Sequence, residues 1–194
     1  MRFCFYIAYH FSQCYCAGVI SDQDLRTLTV GRWLAPLMAH LGAEKGSRFA
    51  VMLARFGLSR SMLSASLIQL REAGWVRRNP GHGHPLRPEY ILTEAGAPIA
   101  AFAERVMAER QQLGLEPEQL PRWSLPLVAR LDGDDARFSA LRETLRPVTP
   151  RALSLTLKQM IATELVDRRL EDHFPPIALY GLTPRGTQLA AAMR

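Results

Sequence analysis

Apolar residues at helical spacing predict three successive helices in the first part of the chain. They recur every three or four positions across residues 32–41, 47–55 and 60–73, as expected for helices that bury one face. Gly57 ends the second helix, and Ser59 is a favourable N-cap for the third. The predicted buried face of the third helix consists of Met62, Leu63, Leu67 and Leu70.

A β-hairpin and a further helix follow these three helices. Gly74 ends the third helix, and two short extended segments at 75–78 and 90–92 flank a loop rich in Gly, Pro and His. This composition predicts two antiparallel strands around a turn. Thr93 is a suitable cap for a helix over roughly 95–112. The order helix, helix, turn, helix, hairpin is that of a winged-helix domain.

The same order of features is present twice in the chain. A shift of 90 residues aligns most of the matching pairs, and a shift of 89 aligns the Arg-Phe pair. The matches keep their order along the whole unit, which indicates a duplication. In chain order they include Arg-Trp at 32–33 and 122–123, Arg-Phe at 48–49 and 137–138, Leu-Ser at 63–64 and 153–154, and Tyr-x-Leu-Thr-x-x-Gly at 90–96 and 180–186.

The second copy is predicted to contain the same elements as the first. Thr149 caps its third helix, and Pro150 occupies the first helical position, which favours proline. The predicted fold class is α+β, mainly α, with two tandem winged-helix domains. The helices of the second copy are predicted at 122–131, 136–145 and 150–163, and its strands at 166–169 and 179–182. The predicted divisions are a leader at 1–21, a first domain at 22–113, a connector at 114–121 and a second domain at 122–194.

The charge of the chain favours an anionic partner. Its 194 residues carry a net charge of +6, and such a surplus attracts nucleic acid or anionic membrane. The copies differ, because residues 32–98 contain nine Lys and Arg against four Asp and Glu, whereas residues 122–188 contain ten against eight. If the partner is nucleic acid, the first domain is therefore expected to bind it more tightly than the second.

The leader does not resemble a targeting or membrane segment. His10, Ser12 and Gln13 interrupt its apolar run, so it lacks the continuous apolar core of a signal peptide. No stretch approaches the roughly 20 apolar residues that span a bilayer. We expect a cytoplasmic protein that does not associate with membrane. All three cysteines lie in the leader, and an odd number argues against a disulfide framework.

Each copy resembles the HxlR-type winged helix-turn-helix regulators of bacteria. The resemblance covers residues from about 22 to 194, although the second copy has Glu164-Leu165 where the first has Gly-Trp. The features that carry it are the Arg-Trp and Arg-Phe pairs, the capping Ser59 and Thr149, Gly-Trp-Val-Arg-Arg at 74–78, and Pro-x-Tyr-x-Leu-Thr-x-x-Gly at 88–96.

The resemblance implies a transcription regulator that binds double-stranded DNA. Regulators of this family usually form homodimers of one-domain chains, so two copies imply an intramolecular pseudo-dimer; a further homodimer stays open. The helices expected at the contact are the one before Trp33, the 95–112 and 122–131 helices, and the C-terminal helix. The operator, the effector and the direction of regulation are not identified.

The candidate DNA-binding residues lie on the third helices and the hairpins, or wings. In a helix-turn-helix the outward residues of the third helix meet base edges in the major groove. Arginines and histidines on a flexible wing suit phosphate or minor-groove contact. In the first copy the candidates are Ser59, Arg60, Ser61, Ser64, Arg77, Arg78, His82, His84 and Arg87, and in the second they are Arg151, Ser154, Lys158, Arg168 and Arg169.

Other functions have weaker support. His82, His84 and the distant His40 lack the neighbouring ligands of a metal site, and neither cofactor nor catalytic residues are predicted, because no phosphate loop or catalytic constellation is present. Cys14 and Cys16 form a candidate redox pair, since some HxlR-type regulators use a cysteine shortly before the first long helix. A tandem winged-helix protein-interaction module is the remaining alternative, favoured by an acidic second wing and by the outward Ile68 and Leu155.

Overall fold

The computed structural model describes residues 20–80, 88–116, 119–171 and 176–194. Within these ranges the chain is mainly helical and forms two winged-helix units, each with a three-stranded antiparallel sheet. The first unit contains α1 (Asp22–Leu28), α2 (Leu34–Ala43), β1 (Ser47–Arg48), α3 (Phe49–Phe56), α4 (Arg60–Glu72), β2 (Val76–Asn79), β3 (Glu89–Leu92) and α5 (Gly96–Gln112). The second contains α6 (Ser124–Leu131), β4 (Ala136–Arg137), α7 (Phe138–Thr144), α8 (Pro150–Ala162), β5 (Val166–Glu171), β6 (Ile177–Leu182) and α9 (Pro184–Ala192).

Each unit contains a short strand where the apolar pattern predicts the start of a helix. β1 pairs with β3, and β4 pairs with β6 in the same manner. The predicted helix starts at residues 47 and 136 are therefore wrong, because α3 and α7 begin at Phe49 and Phe138. A two-residue strand is too short to show a period of its own, and its partner lies far along the chain.

The buried face of α4 differs from the prediction at one position. Leu63, Leu67 and Leu70 are buried, but the prediction that Met62 faces the core is wrong, because its exposed fraction is 47%. Ser66 occupies the fourth buried position instead, and its hydroxyl donates to the Met62 carbonyl oxygen at 3.0 Å. This hydrogen bond satisfies a hydroxyl that burial would otherwise leave unpaired.

The repeated Leu-Thr-x-x-Gly segment joins the wing to the last helix of each unit. Thr93 Oγ1 donates to the Gly74 carbonyl oxygen at 2.6 Å and accepts from the Gly96 N–H at 3.0 Å. Thr183 makes the equivalent bonds to Glu164 and Gly186 at 2.5 and 3.1 Å. One threonine thus ties the entry of the hairpin to the first turn of the helix that follows it.

The glycine of this segment permits a close backbone approach. A Cβ atom at Gly96 would lie 2.0 Å from the Trp75 carbonyl oxygen, and one at Gly186 would lie 2.0 Å from the Leu165 carbonyl oxygen. The same two carbonyl groups accept hydrogen bonds from the N–H groups of Thr93 and Thr183. The repeated motif is therefore explained by backbone geometry.

The turn between the third helix and the wing is the same in both units despite different residues. Gly74 has a φ of +76°, and Glu164 has a φ of +58° at the equivalent position. In both turns the next residue donates its N–H to a helix carbonyl, from Trp75 to Leu70 and from Leu165 to Met160. The replacement of Gly-Trp by Glu-Leu in the second copy thus leaves the helix end intact, although a non-glycine residue occupies the left-handed region.

The two units contact each other through helices α1, α5, α6 and α9. α1 packs against α6 and α5 packs against α9, and buried residues of both units belong to one apolar cluster. Arg105 donates to the carbonyl oxygens of Ala192 and Arg194 at 3.2 and 2.8 Å. Arg185 donates to the Leu113 carbonyl oxygen at 2.9 Å. Apolar packing and arginine–carbonyl bonds therefore connect the units.

His40 is a buried titratable group in the first unit. Its Nε2 lies 3.0 Å from Ser47 Oγ, and its ring packs edge-on against Phe56 at 5.5 Å between centroids. Burial lowers the pKa of His40 below its usual 6.5, and the Arg55 cation lowers this pKa further, while Glu44 opposes the shift. The folded state therefore favours the neutral imidazole.

This lowered pKa predicts a loss of stability in acid. Below about pH 6.5 the unfolded chain protonates His40 before the folded chain does, so the free energy of unfolding falls until the folded pKa is passed. His40→Gln keeps a polar side chain but removes the titration. Urea unfolding at pH 7.5 and pH 5.5 is expected to show a smaller acid loss in the variant. An equal loss in both proteins would contradict the assignment.

Candidate nucleic-acid interface

The third helix of each unit begins at a side-chain cap, as predicted. Ser59 Oγ accepts from the Met62 N–H at 3.2 Å, and Thr149 Oγ1 accepts from the Ala152 N–H at 3.2 Å. Ser59 Oγ also lies 3.1 Å from Ser61 Oγ. These bonds fix the first turns of α4 and α8, whose opposite faces bury the core leucines.

Both helices present a solvent-exposed face, and this face contains the predicted residues. Arg60, Ser61 and Ser64 on α4, and Arg151, Ser154 and Lys158 on α8, are all exposed. Within the described ranges, the side chains of Arg60, Arg151 and Lys158 make neither an ion pair nor a hydrogen bond. Their charges are thus available to an external anion.

The first wing presents two arginines on opposite faces of its sheet. Val76 is buried, so Arg78 projects from the same face as Val76 and Arg77 from the other, because side chains alternate along a strand. Both arginines are exposed, and neither forms an ion pair within the described part of the chain. The predicted His82, His84 and Arg87 lie outside the described residues.

The second wing differs because one of its two predicted arginines is already paired. Arg168 is exposed, but Arg169 forms ion pairs with Asp135 and, at 3.4 Å, with Asp167. Both carboxylates neutralise a charge that the sequence assigns to DNA. Arg168 has no such partner among the residues that the structure describes.

Gly181 makes this pairing fit. A Cβ atom there would lie 2.1 Å from Asp135 Oδ1 and 2.9 Å from Arg169 Nη2. The equivalent residues of the first copy are Ile91 for Gly181 and Gly46 for Asp135. In the first copy the glycine therefore precedes the short strand, whereas in the second copy it lies in the return strand of the wing. Sequence reasoning missed this cluster, and this exchange between the copies was the signal that could have revealed it.

A shallow cavity lies beside α8 in the second unit. It has a volume of about 290 Å³. Its lining combines apolar and aromatic side chains with Ser154 and Lys158, and the lining residue Ile161 is 39% exposed. The lining residues are Phe138, Ser154, Leu157, Lys158, Ile161 and Tyr180.

The other candidate sites gain no geometry from the structure. Among the described residues, no group of three His, Cys, Asp or Glu side chains could hold a metal ion. Cys14 and Cys16 lie outside these residues, so a redox role stays a prediction. In the described ranges, no helix is long and apolar enough to cross a membrane.

Parts of the chain are similar to solved structures of transcriptional regulators. No curated protein gives a significant match. A crystal structure of a MarR-family transcriptional regulator from Enterococcus faecalis V583 is 27% identical, with a TM-score of 0.37 over 45% of this chain and 74% of that chain. Another from Porphyromonas gingivalis W83 is 20% identical, with a TM-score of 0.36 over 44% of this chain and 78% of that one.

The family comparison covers both units. The family described as HxlR-like helix-turn-helix matches residues 28–115 and again residues 120–194. The two matched ranges contain α4 with the first wing and α8 with the second wing. The chain therefore belongs to the HxlR-like helix-turn-helix family, as two tandem copies, and is a DNA-binding transcription regulator.

Proposed function

We propose that the chain regulates transcription by clamping double-stranded DNA with both winged-helix units at once. α4 and α8 enter successive major-groove segments, and the wings contact the adjacent backbone. The packing of α1 on α6 and of α5 on α9 supports an arrangement of the two units as an intramolecular pseudo-dimer. The proposal includes no catalytic step and no cofactor.

The observation that carries this proposal is the set of unpaired cations on the exposed faces. Phosphate neutralisation by Lys and Arg supplies much of the affinity of proteins for DNA. A cation that is already paired within the protein must give up that partner before it binds a phosphate, whereas an unpaired cation need not. Within the described ranges the unpaired cations on α4, α8 and the wings include Arg60, Arg77, Arg78, Arg151, Lys158 and Arg168.

Titration of duplex DNA at several salt concentrations tests the proposal. We expect binding to random DNA at about 50 mM salt, with an affinity that falls steeply as salt rises. DNA from the region upstream of the protein's own coding sequence is expected to stay bound at higher salt than random DNA. Circular dichroism on the same samples shows that the protein is folded. Failure to bind either DNA at low salt would refute the proposal.

A protein-interaction module is the second candidate function. Large apolar side chains are exposed on the second unit, with exposed fractions of 59% for Leu155 and 62% for Leu170. Together with Ile161 at the shallow cavity, they could contact a protein partner. A folded protein that binds neither DNA at low salt would favour this function.

A further inference from the structure

The exposed faces of α4 and α8 can be compared position by position. The buried residues of α4 are Leu63, Ser66, Leu67 and Leu70, and those of α8 are Leu153, Thr156, Leu157 and Met160. Each pair is related by the same shift of 90 residues, so the two helices have the same rotation about their axes. Differences between their outward residues are therefore differences in chemistry.

The outward line of α4 has little capacity to read bases by hydrogen bonding. At about 100° per residue, the positions opposite the buried stripe are Ser61, Ala65 and Ile68. Only Ser61 carries a polar group, and Ile68 is 49% exposed. Arg60 lies in the same turn as Ser61 but well to one side of this line, and this position suits contact with a phosphate better than contact with a base edge.

The outward line of α8 has the opposite character. The positions equivalent to Ser61, Ala65 and Ile68 hold Arg151, Leu155 and Lys158. Arginine and lysine donate to the O6 and N7 acceptors of guanine, and an apolar side chain contacts the thymine methyl group. Since Arg151 and Lys158 have no ionic partner in the described chain, both are available for contact with base edges.

The wings show the reverse distribution of charge. The first wing has two exposed arginines, Arg77 and Arg78. In the second wing Asp167 replaces the first of these, and Arg169 is paired with Asp135 and Asp167. Among the described residues, the first unit therefore has fewer base-reading side chains on its third helix but more unpaired arginines on its wing.

We infer that the two units divide DNA recognition between them. The first unit supplies affinity through phosphate contacts at its wing, and the second supplies sequence specificity through Arg151 and Lys158 on α8. The operator is therefore an asymmetric site, with one or more guanines in the half read by α8 and little base preference in the half under α4. This inference rests on the proposed function, because it assumes that both helices face DNA.

Selection of bound duplexes from a random-sequence library, followed by sequencing, tests the inference. The wild-type chain is expected to enrich a motif with guanines in one half only. Arg151→Ala should reduce the preference at one guanine position by about tenfold or more and should weaken binding to the selected motif more than binding to random DNA. Ser61→Ala at the equivalent position of α4 should change the motif much less than Arg151→Ala, because a serine hydroxyl makes at most one weak base contact. Ser61→Arg should add a guanine preference to the weaker half.

The outcomes separate the two levels of the proposal. A symmetric motif with equal information in both halves would overturn the division of recognition but would be consistent with DNA binding by both units. An unchanged motif in Arg151→Ala, with Lys158→Ala equally without effect, would also overturn it. If the folded wild-type chain retains no DNA at low salt, the proposed function itself fails.

Discussion

Replacement of Arg77 and Arg78 by alanine is expected to weaken DNA binding by up to about 60-fold at about 0.1 M salt. Both side chains are exposed on the first wing and have no ionic partner in the described part of the chain. Each neutralised phosphate contributes about −0.9 to the slope of log K against log salt. The slope of the double variant should therefore be flatter by about 1.8, with similar losses for every DNA sequence.

Arg169→Ala is the matched control in the second wing. Asp135 and Asp167 already neutralise Arg169, so its removal takes away no phosphate contact and is expected to change the salt slope much less than removal of Arg78. Fluorescence anisotropy with labelled duplex at four salt concentrations measures both quantities. Unchanged low-salt affinity in the Arg77/Arg78 double variant would contradict the assignment of the first wing to DNA.

Replacement of Gly96 by alanine is expected to lower the free energy of unfolding by about 1–3 kcal/mol. The added Cβ would lie 2.0 Å from the Trp75 carbonyl oxygen, a backbone atom that cannot rotate away as a side chain does. To relieve the contact, α5 and the start of β2 must move apart, which stretches the Thr93–Gly74 hydrogen bond. The better helix propensity of alanine offsets at most about 1 kcal/mol of this cost.

Gly186→Ala provides an independent test, because its Cβ would meet the Leu165 carbonyl oxygen at the same 2.0 Å. Ala97→Gly in the exposed first turn of α5 is the control for helix propensity alone. The midpoint and slope of urea unfolding, followed by tryptophan fluorescence and circular dichroism, report the change. Wild-type stability in Gly96→Ala would show that the close approach at this position does not require glycine.

Long, strongly periodic segments were predictable from the sequence, but short strands and features that depend on contacts with other residues were not. The leucine spacing and caps locate α4 and α8, because both signals lie within one element. The strand β1 was missed, since it consists of only Ser47 and Arg48 and is formed by pairing with distant β3. Met62 was misassigned because helical spacing alone does not reveal that Ser66 can be buried with its hydroxyl bonded to the Met62 carbonyl.

The repeated Arg-Trp pair illustrates how repetition alone leaves a role open. The Arg32 guanidinium lies 4.8 Å from the Trp33 ring centroid, and the Arg122 guanidinium lies 5.1 Å from that of Trp123. Each pair is thus an intramolecular cation–π contact. This contact, like the close approach at Gly96 and Gly186, shows that part of what the two copies share is scaffold.

The duplication, the winged-helix order and the unequal charge of the copies could all be predicted without a structure, because they depend on residue type and spacing along the chain. Which of these charges are free to bind DNA could be seen only in the folded chain. Arg169 resembles Arg168 in sequence, yet its charge is shared with Asp135, a residue brought beside it by the pairing of β4 and β5 with β6. The availability of a charge depends on its neighbours in space, and those neighbours come from segments that the sequence keeps apart.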